Sequence, residues 1–243
     1  MTNVMLHVNR FKNNPYGAFC AKILILLLIF LLSSGGVMAD SSNTIELPEV
    51  SLTGDGSLEQ LLSQRRSIRE YAEGAVSLSD VGQLLWAAQG ITNARGFRTA
   101  PSAGALYPLE LFLVVGEVNH LSPGVYHYRP DGHQLQKVFA DDQRKVLERA
   151  AWSQDWIKEA AVVIVFTADY ERTARKYGLR AKRYVHIEVG HAAQNLFLQA
   201  EALNLATVPV GAFKDDKVAR VLQLPDDLEP LLLMPVGRKQ GVQ

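Results

Sequence analysis

The most informative stretch of this chain is Arg65-Arg66-Ser67-Ile68-Arg69, which follows a short amphipathic segment beginning at Ser57. Its three guanidinium groups each present a planar fork of donors that matches phosphate oxygens, and the Ser67 hydroxyl can add a hydrogen bond. Such clusters also occur on solvated surfaces, so the stretch alone predicts an anion site only weakly. Three later segments strengthen the prediction: Pro101–Pro108 (PSAGALYP), Pro209–Phe213 (PVGAF) and Pro235–Lys239 (PVGRK).

The N-terminal residues predict export from the cytoplasm. An unbroken apolar run, Ile23–Leu32, follows a basic region and precedes small residues that end at Ala39. This order is typical of a secretory signal, so we expect cleavage after Ala39 and a periplasmic or cell-envelope protein. An uncleaved membrane anchor is an alternative, because the extended segment approaches the lower limit of about 17 residues for a span. A start at Met38, which would leave a cytosolic protein, is a third.

We expect three parts along the 243 residues: a signal peptide or anchor at 1–39, a polar linker at 40–56, and one domain at 57–243. The chain has 25 Lys and Arg and 25 Asp and Glu; three of the basic residues precede position 40, so the rest carries a formal charge of −3. A slightly acidic domain is not expected to bind nucleic acid. The only cysteine, Cys20, precedes the domain, which excludes disulfides and thiolate chemistry there.

The periodicity of the domain predicts helices and strands in irregular order. Ser57 and Gln60 form a capping-box pattern before a helix, and Asp131-Gly132 lies between two alternating segments as in a β-hairpin. Further helices are expected at 79–90, 141–152, 169–178 and 183–203, with further strands at 109–116, 161–167, 206–210 and 231–236. The class is therefore α+β and not a doubly wound sheet.

Three motifs in this order resemble the nitroreductase superfamily of FMN enzymes: RRSIR, PSAGALYP and the helical segment Gly190–Leu196 (GHAAQNL). Within that superfamily the chain is most similar to the thiazole- and oxazole-forming (SagB-type) dehydrogenases. The resemblance covers about Leu58 to Lys239. It implies a central mixed or antiparallel sheet flanked by helices, a homodimer with FMN at the subunit interface, and hydride transfer through flavin N5 to or from a small organic substrate.

The resemblance also implies residue roles. Arg65, Arg66 and Ser67 match positions around the FMN phosphate and ribityl chain. Arg69 matches a basic residue near the pyrimidine edge of the ring, where a cation stabilises negative charge. Gly211 and Ala212 match a turn whose backbone amides reach N5 and O4, and we expect Gly211, Ala212 and Arg69 to support catalysis. Two more groups complete the expected site: Arg238 or Lys239 at the phosphate, and Pro101, Ser102 and Ala103 along the ring, contributed by the partner subunit.

The closest subgroup carries a Lys–Tyr pair as its proposed acid and base. The nearest match by this comparison is Arg183-Tyr184, and arginine cannot act as a base near neutral pH. Tyr184 is retained as a catalytic candidate, and azoline peptide dehydrogenation remains an alternative function. A flavin-free binding protein is a second alternative.

Other cofactors and partners are less well supported. One Glu188-x-x-His191 pattern does not suffice for a di-iron site, so no metal is expected. NAD(P)H is a conceivable donor, but it is scarce outside the cytoplasm and fits an exported protein poorly. A membrane would be contacted only through an uncleaved N-terminal segment.

Overall fold

The computed structural model describes residues 43–241. The predicted signal peptide, anchor and cleavage site at Ala39 lie outside the described residues. Within residues 43–241, none of the helices combines the length and apolar character needed to cross a bilayer.

The domain is built on one seven-stranded sheet in which every neighbouring pair of strands is antiparallel. The strands are β1 (Thr44–Glu46), β2 (Leu109–Val115), β3 (Gly124–Arg129), β4 (Gln134–Ala140), β5 (Val162–Ala168), β6 (Leu205–Thr207) and β7 (Glu229–Arg238). Their order across the sheet is β1-β4-β3-β2-β5-β7-β6. The α+β class is confirmed, and the sheet expected as mixed or antiparallel is antiparallel.

The helices lie on both faces of this sheet. They are α1 (Leu58–Gln64), α2 (Leu78–Gln89), α3 (Arg144–Ala150), α4 (Trp156–Glu159), α5 (Tyr170–Tyr177), α6 (Ala181–Ala202) and α7 (Asp215–Leu222). The capping box of α1 forms as predicted, because Ser57 accepts from the Gln60 amide and the Gln60 side chain accepts from the Ser57 amide. Helix α2 begins slightly earlier than predicted, since Ser77 is its N-cap.

Strand β2 explains how the sheet separates two hydrophobic cores. Its side chains alternate in direction, so Leu111 and Leu113 join the core beneath α2 and α6, whereas Phe112 and Val114 join the core beneath α3, α4 and α7. A strand that is buried on both faces needs apolar residues at nearly every position. This is why the run at 109–116 predicted a central strand correctly.

Two features differ from the sequence-based expectation. Thr44–Glu46, inside the predicted linker, pairs with β4 instead, and Leu47 is buried in the core. The short helices α4 and α7 were not predicted. The hairpin around Asp131-Gly132 is confirmed as β3 and β4.

Tyr71 packs against the end of β7, where only glycine fits. A Cβ added to Gly237 would lie 2.6 Å from the Cγ and Cδ1 atoms of the Tyr71 ring. Tyr71 belongs to the segment that carries the RRSIR motif to the sheet, and the Ala72 amide donates to the Arg238 carbonyl over 3.0 Å. The contact with Gly237 therefore fixes where this segment crosses the sheet.

We predict that Gly237→Ala lowers the free energy of unfolding by about 1–3 kcal/mol, because the new methyl group must displace a packed aromatic ring. Urea unfolding of the variant measures this. Gly54→Ala is the matched control, since no atom lies within 4 Å of its Cβ position. Equal stabilities for the two variants would contradict the proposed contact.

Candidate functional site

The RRSIR segment lies against the edge strand β6. The Ile68 amide donates to the Thr207 carbonyl over 3.0 Å. On its other side β6 pairs with β7, with Leu205 opposite Arg238 and Thr207 opposite Val236. The end of the chain and the RRSIR segment are therefore both positioned by this three-residue strand.

Arg65 and Arg69 each rest on an aromatic face. The guanidinium carbon of Arg65 is 4.6 Å from the ring centroid of Phe197, and that of Arg69 is 5.4 Å from the ring centroid of Trp156. Within residues 43–241 neither guanidinium forms an ion pair. Stacking holds a guanidinium in place while leaving its N–H edge available to an anion.

The two residues between them have different surroundings. Arg66 donates from Nη1 to the carbonyls of Ser63 and Arg65, over 2.9 and 2.8 Å, and so closes the turn after α1. Ser67 is exposed, and its hydroxyl makes no hydrogen bond in the described part of the chain. Arg66 therefore helps to shape the turn, whereas Ser67 retains an unused hydroxyl.

Arg238 and Lys239, the two basic residues predicted at the phosphate, also differ in their surroundings. Lys239 Nζ lies 2.6 Å from Glu201 Oε1, near the end of α6, so much of its charge is already compensated. Arg238 is exposed and pairs with no carboxylate among residues 43–241. Its Nη1 lies 3.3 Å from the Cβ position of Gly74, so the guanidinium is directed along that segment.

The turn at Gly211 and Ala212 is fixed from both sides but keeps its donors. Val210 exchanges backbone hydrogen bonds with Leu233, and Gln154 Nε2 donates to the Ala212 carbonyl over 2.9 Å. Both turn residues are exposed, and neither N–H finds an acceptor within residues 43–241. Gln154 lies two residues before Trp156, on which Arg69 stacks, so the turn and the RRSIR segment meet at one edge of the sheet.

The loop residues Pro101, Ser102 and Ala103 occupy a different place. Together with Tyr184, Ile187, Glu188 and His191 they line a cavity of about 250 Å³ beside the first half of α6. Arg65 and Lys239 instead contact Phe197 and Glu201 in its second half. Within residues 43–241, no hydrogen bond, ion pair or stacking contact joins Pro101–Ala103 to Arg65 or Arg69.

The sequence-based prediction named Arg183-Tyr184 and overlooked an adjacent lysine and tyrosine, Lys176-Tyr177. Lys176-Tyr177 ends α5, and Lys176 Nζ and Tyr177 Oη each lie 2.9 Å from the Cβ position of Gly104. Gly104 belongs to the PSAGALYP loop and has a φ of 65°. The ring of Tyr177 meets that of Tyr184 edge to face at 5.0 Å. The adjacent lysine and tyrosine are visible in the sequence, but only the fold shows that their side chains face this loop.

In the sequence, Glu188 stands out only as part of the Glu188-x-x-His191 pattern. The structure shows it as a carboxyl that is 3% exposed and lies behind the Ser102 loop.

Comparison with known proteins identifies the family of this chain. The Nitroreductase family matches residues 62–238. A protein of Methanocaldococcus jannaschii, provisionally named a nitroreductase, is 45% identical over 195 residues, which are 80% of this chain and 96% of that protein. A crystal structure from Ralstonia eutropha, also provisionally named a nitroreductase, superposes with a TM-score of 0.73 at 28% identity and covers 82% of this chain and 91% of its own.

A processing protein is more distantly similar. The microcin B17-processing protein of Escherichia coli is 27% identical over 146 residues, or 58% of this chain, and this chain spans about half of that protein's length, 54%. The match over residues 62–238 covers most of the domain. This chain therefore belongs to the Nitroreductase family of oxidoreductases.

Proposed function

We propose that this protein is an FMN-dependent oxidoreductase that acts as a homodimer on a small organic substrate. The observation that carries this proposal is that the RRSIR segment, with Arg65 and Arg69, and the Gly211-Ala212 turn lie at one edge of the sheet, beside β6. All of them keep hydrogen-bond donors that no acceptor within residues 43–241 uses.

These donors fit the two chemically different ends of FMN. Arg65 and Ser67 would bind the phosphate and ribityl chain, since a guanidinium and a hydroxyl both donate to phosphate oxygens. Arg69 would stabilise negative charge on the ring, and the Gly211 and Ala212 amides would orient its polar edge as fixed dipoles. When bound, FMN supplies the hydride chemistry, while the protein binds and orients it.

Lys239 takes a supporting role in this proposal. Because Glu201 compensates its charge, Lys239 fixes the end of β7 against α6 and leaves Arg238 as the more available tail cation. The resemblance allowed either residue to close the phosphate site, and the ion pair favours Arg238.

The absence, within residues 43–241, of a contact between the Ser102 loop and Arg65 or Arg69 supports the homodimer. A second copy could bring its own loop to the RRSIR segment, as the resemblance implies. Each site would then consist of Arg65 and Arg69 from one subunit and Ser102 and Ala103 from the other.

We further propose that the mature protein works in the periplasm or cell envelope, on the basis of the N-terminal sequence pattern. Its electron donor would then differ from NAD(P)H. Anaerobic addition of NADH to the flavin-loaded protein tests this: the flavin absorbance should persist, whereas rapid bleaching would favour a nicotinamide donor.

We predict that Arg65→Ala and Arg69→Ala each weaken FMN binding about 10- to 100-fold, since a charged hydrogen bond contributes about 1.5–3 kcal/mol. Titration of the apoprotein followed by flavin fluorescence measures the dissociation constants. Arg95→Ala is the matched control, because Arg95 is also an arginine stacked on an aromatic ring, that of Phe97, at 4.9 Å.

Unchanged FMN affinity in both variants would contradict the roles assigned to these arginines. A wild-type protein that stays colourless and does not bind added FMN would instead favour the flavin-free binding protein.

Lys176-Tyr177 favours a second candidate function, the dehydrogenation of azoline rings in peptides. The pair provides an amine and a phenol beside the Ser102 loop, which are groups suited to moving a proton. The similarity to a microcin-processing protein points in the same direction.

We predict that Tyr177→Phe and Lys176→Met each lower dehydrogenation of a thiazoline-containing test peptide at least about 100-fold, as loss of a general acid or base does. Both variants should keep their FMN content. Tyr170→Phe is the control, because Tyr170 lies on the same helix and hydrogen-bonds to His186 instead. If the wild type does not oxidise the peptide, the second candidate is wrong and the first stands.

A further inference from the structure

Glu188 is a buried carboxyl with one oxygen that lacks a partner. Its side chain faces the Ser102 hydroxyl and the Ala103 amide, yet Oε1 has no hydrogen bond within residues 43–241. Burying a charged oxygen without a donor is costly, so the neutral carboxyl is favoured. Burial raises the pKa of Glu188 from 4.5 to about 7, although Ser102, Ala103 and Arg98 act in the opposite direction.

The loop that covers Glu188 has a strained backbone. Ala105 and Tyr107 have φ angles of 55° and 47°, which non-glycine residues seldom adopt. Ser102 stabilises this conformation, since its Oγ accepts from the Tyr107 amide over 2.8 Å. Arg172 adds a hydrogen bond to the Tyr107 carbonyl over 2.7 Å. A change at Ser102 therefore affects the whole loop.

The other titratable groups near Glu188 do not neutralise it. Arg98 donates to Gln89 over 2.7 Å and stacks on Tyr107, and it forms no ion pair with Glu188. Tyr184 and His191 share the cavity, and Lys176 and Tyr177 contact the loop at Gly104. Of these, histidine is the one other group that ordinarily titrates near neutral pH.

We propose that Glu188 is a positioning residue: its neutral form can stay buried beneath the Ser102–Ala103 part of the loop, whereas ionisation leaves a buried charge on Oε1 with no donor within residues 43–241 and drives the loop open. When the loop opens, water reaches the carboxylate and the pKa of Glu188 returns toward its ordinary value. Glu188 thus binds its proton more tightly when the loop is closed than when it is open. A rise in pH therefore shifts the equilibrium toward the open form.

The consequence for the cofactor rests on the proposed function. If the loop of one subunit covers FMN bound by the other, ionisation of Glu188 weakens that cover. The proposal about the loop itself concerns the cofactor-free protein and can be tested without FMN.

Hydrogen exchange of the amides at 102–107, corrected for the intrinsic effect of pH, tests the proposal directly. From about pH 5 to about pH 8, protection of these amides should fall by up to about 100-fold in the wild type, in line with a pKa difference of two to three units. Glu188→Gln cannot ionise and should keep its protection at both pH values.

Two controls separate Glu188 from its neighbours. Glu171→Gln changes an exposed carboxyl on α5 and should behave like the wild type. His191→Asn removes the histidine of the cavity and should also keep the pH response. The proposal is overturned if Glu188→Gln retains the response, if His191→Asn abolishes it, or if the wild type shows none.

Two further measurements extend the test. Between the ordinary carboxyl pKa and about 7, the folded state holds more protons than the unfolded state. The urea midpoint of the wild type should therefore fall with rising pH relative to that of Glu188→Gln, and then level off.

The ratio of wild-type to Glu188→Gln dissociation constants for FMN should rise over the same range, and the ratio cancels the titration of the FMN phosphate. If Glu188→Gln removes the pH response of hydrogen exchange but the ratio of FMN dissociation constants stays constant, Glu188 keeps its role in the loop. The proposed position of the loop over FMN would then be contradicted.

Discussion

The pairing of β6 with the end of β7 is the constraint on which the candidate site depends. Strand β6 has only three residues, and it lies at the edge of the sheet, where one side of its backbone is open. The RRSIR segment occupies that side through the Ile68 amide. An edge strand offers unpaired carbonyls to a neighbouring segment. This hydrogen bond holds the segment that carries Arg65 and Arg69 at the same edge of the sheet as the Gly211-Ala212 turn.

The long helix α6 connects the two parts of the proposed site. Its second half contacts Arg65 and Lys239, and its first half carries Tyr184 and Glu188 beside the Ser102 loop. A single helix thus positions the residues that would bind FMN in one site and those that would cover FMN in another. This arrangement gives a physical reason for a shared site between two copies of the chain.

The sequence predicted those features that depend on neighbouring residues. The capping box at Ser57, the hairpin turn at Asp131-Gly132 and the buried strand β2 each follow from local patterns, and each is confirmed. Strand β1 was missed because its three residues, Thr-Ile-Glu, are too few to show a periodicity, and it forms only because β4 offers an edge. Lys176-Tyr177 was missed for a related reason: its position at Gly104 depends on how α5 packs, which no local pattern reveals. The role of Glu188 likewise depends on burial by a distant loop.

The family and its fold follow from the order of several motifs, whereas in the proposed homodimer the composition of each site depends on two chains. Arg65 and Ser102 both belong to the resemblance, yet no contact joins them within residues 43–241 of one chain. The interpretation of the site therefore depends on the partner subunit more than on any single residue.

Subunit complementation tests this account most directly. The double variant Arg65→Ala/Arg69→Ala lacks the basic residues, and Ala103→Trp places a bulky side chain where the loop would cover FMN. Each variant alone should therefore fail to retain FMN. After dissociation, mixing and reassembly, each mixed dimer should contain one intact site, and roughly a quarter of the sites should bind FMN again. If mixed dimers form and no FMN binding returns, the site does not combine residues from two subunits, and the central claim is wrong.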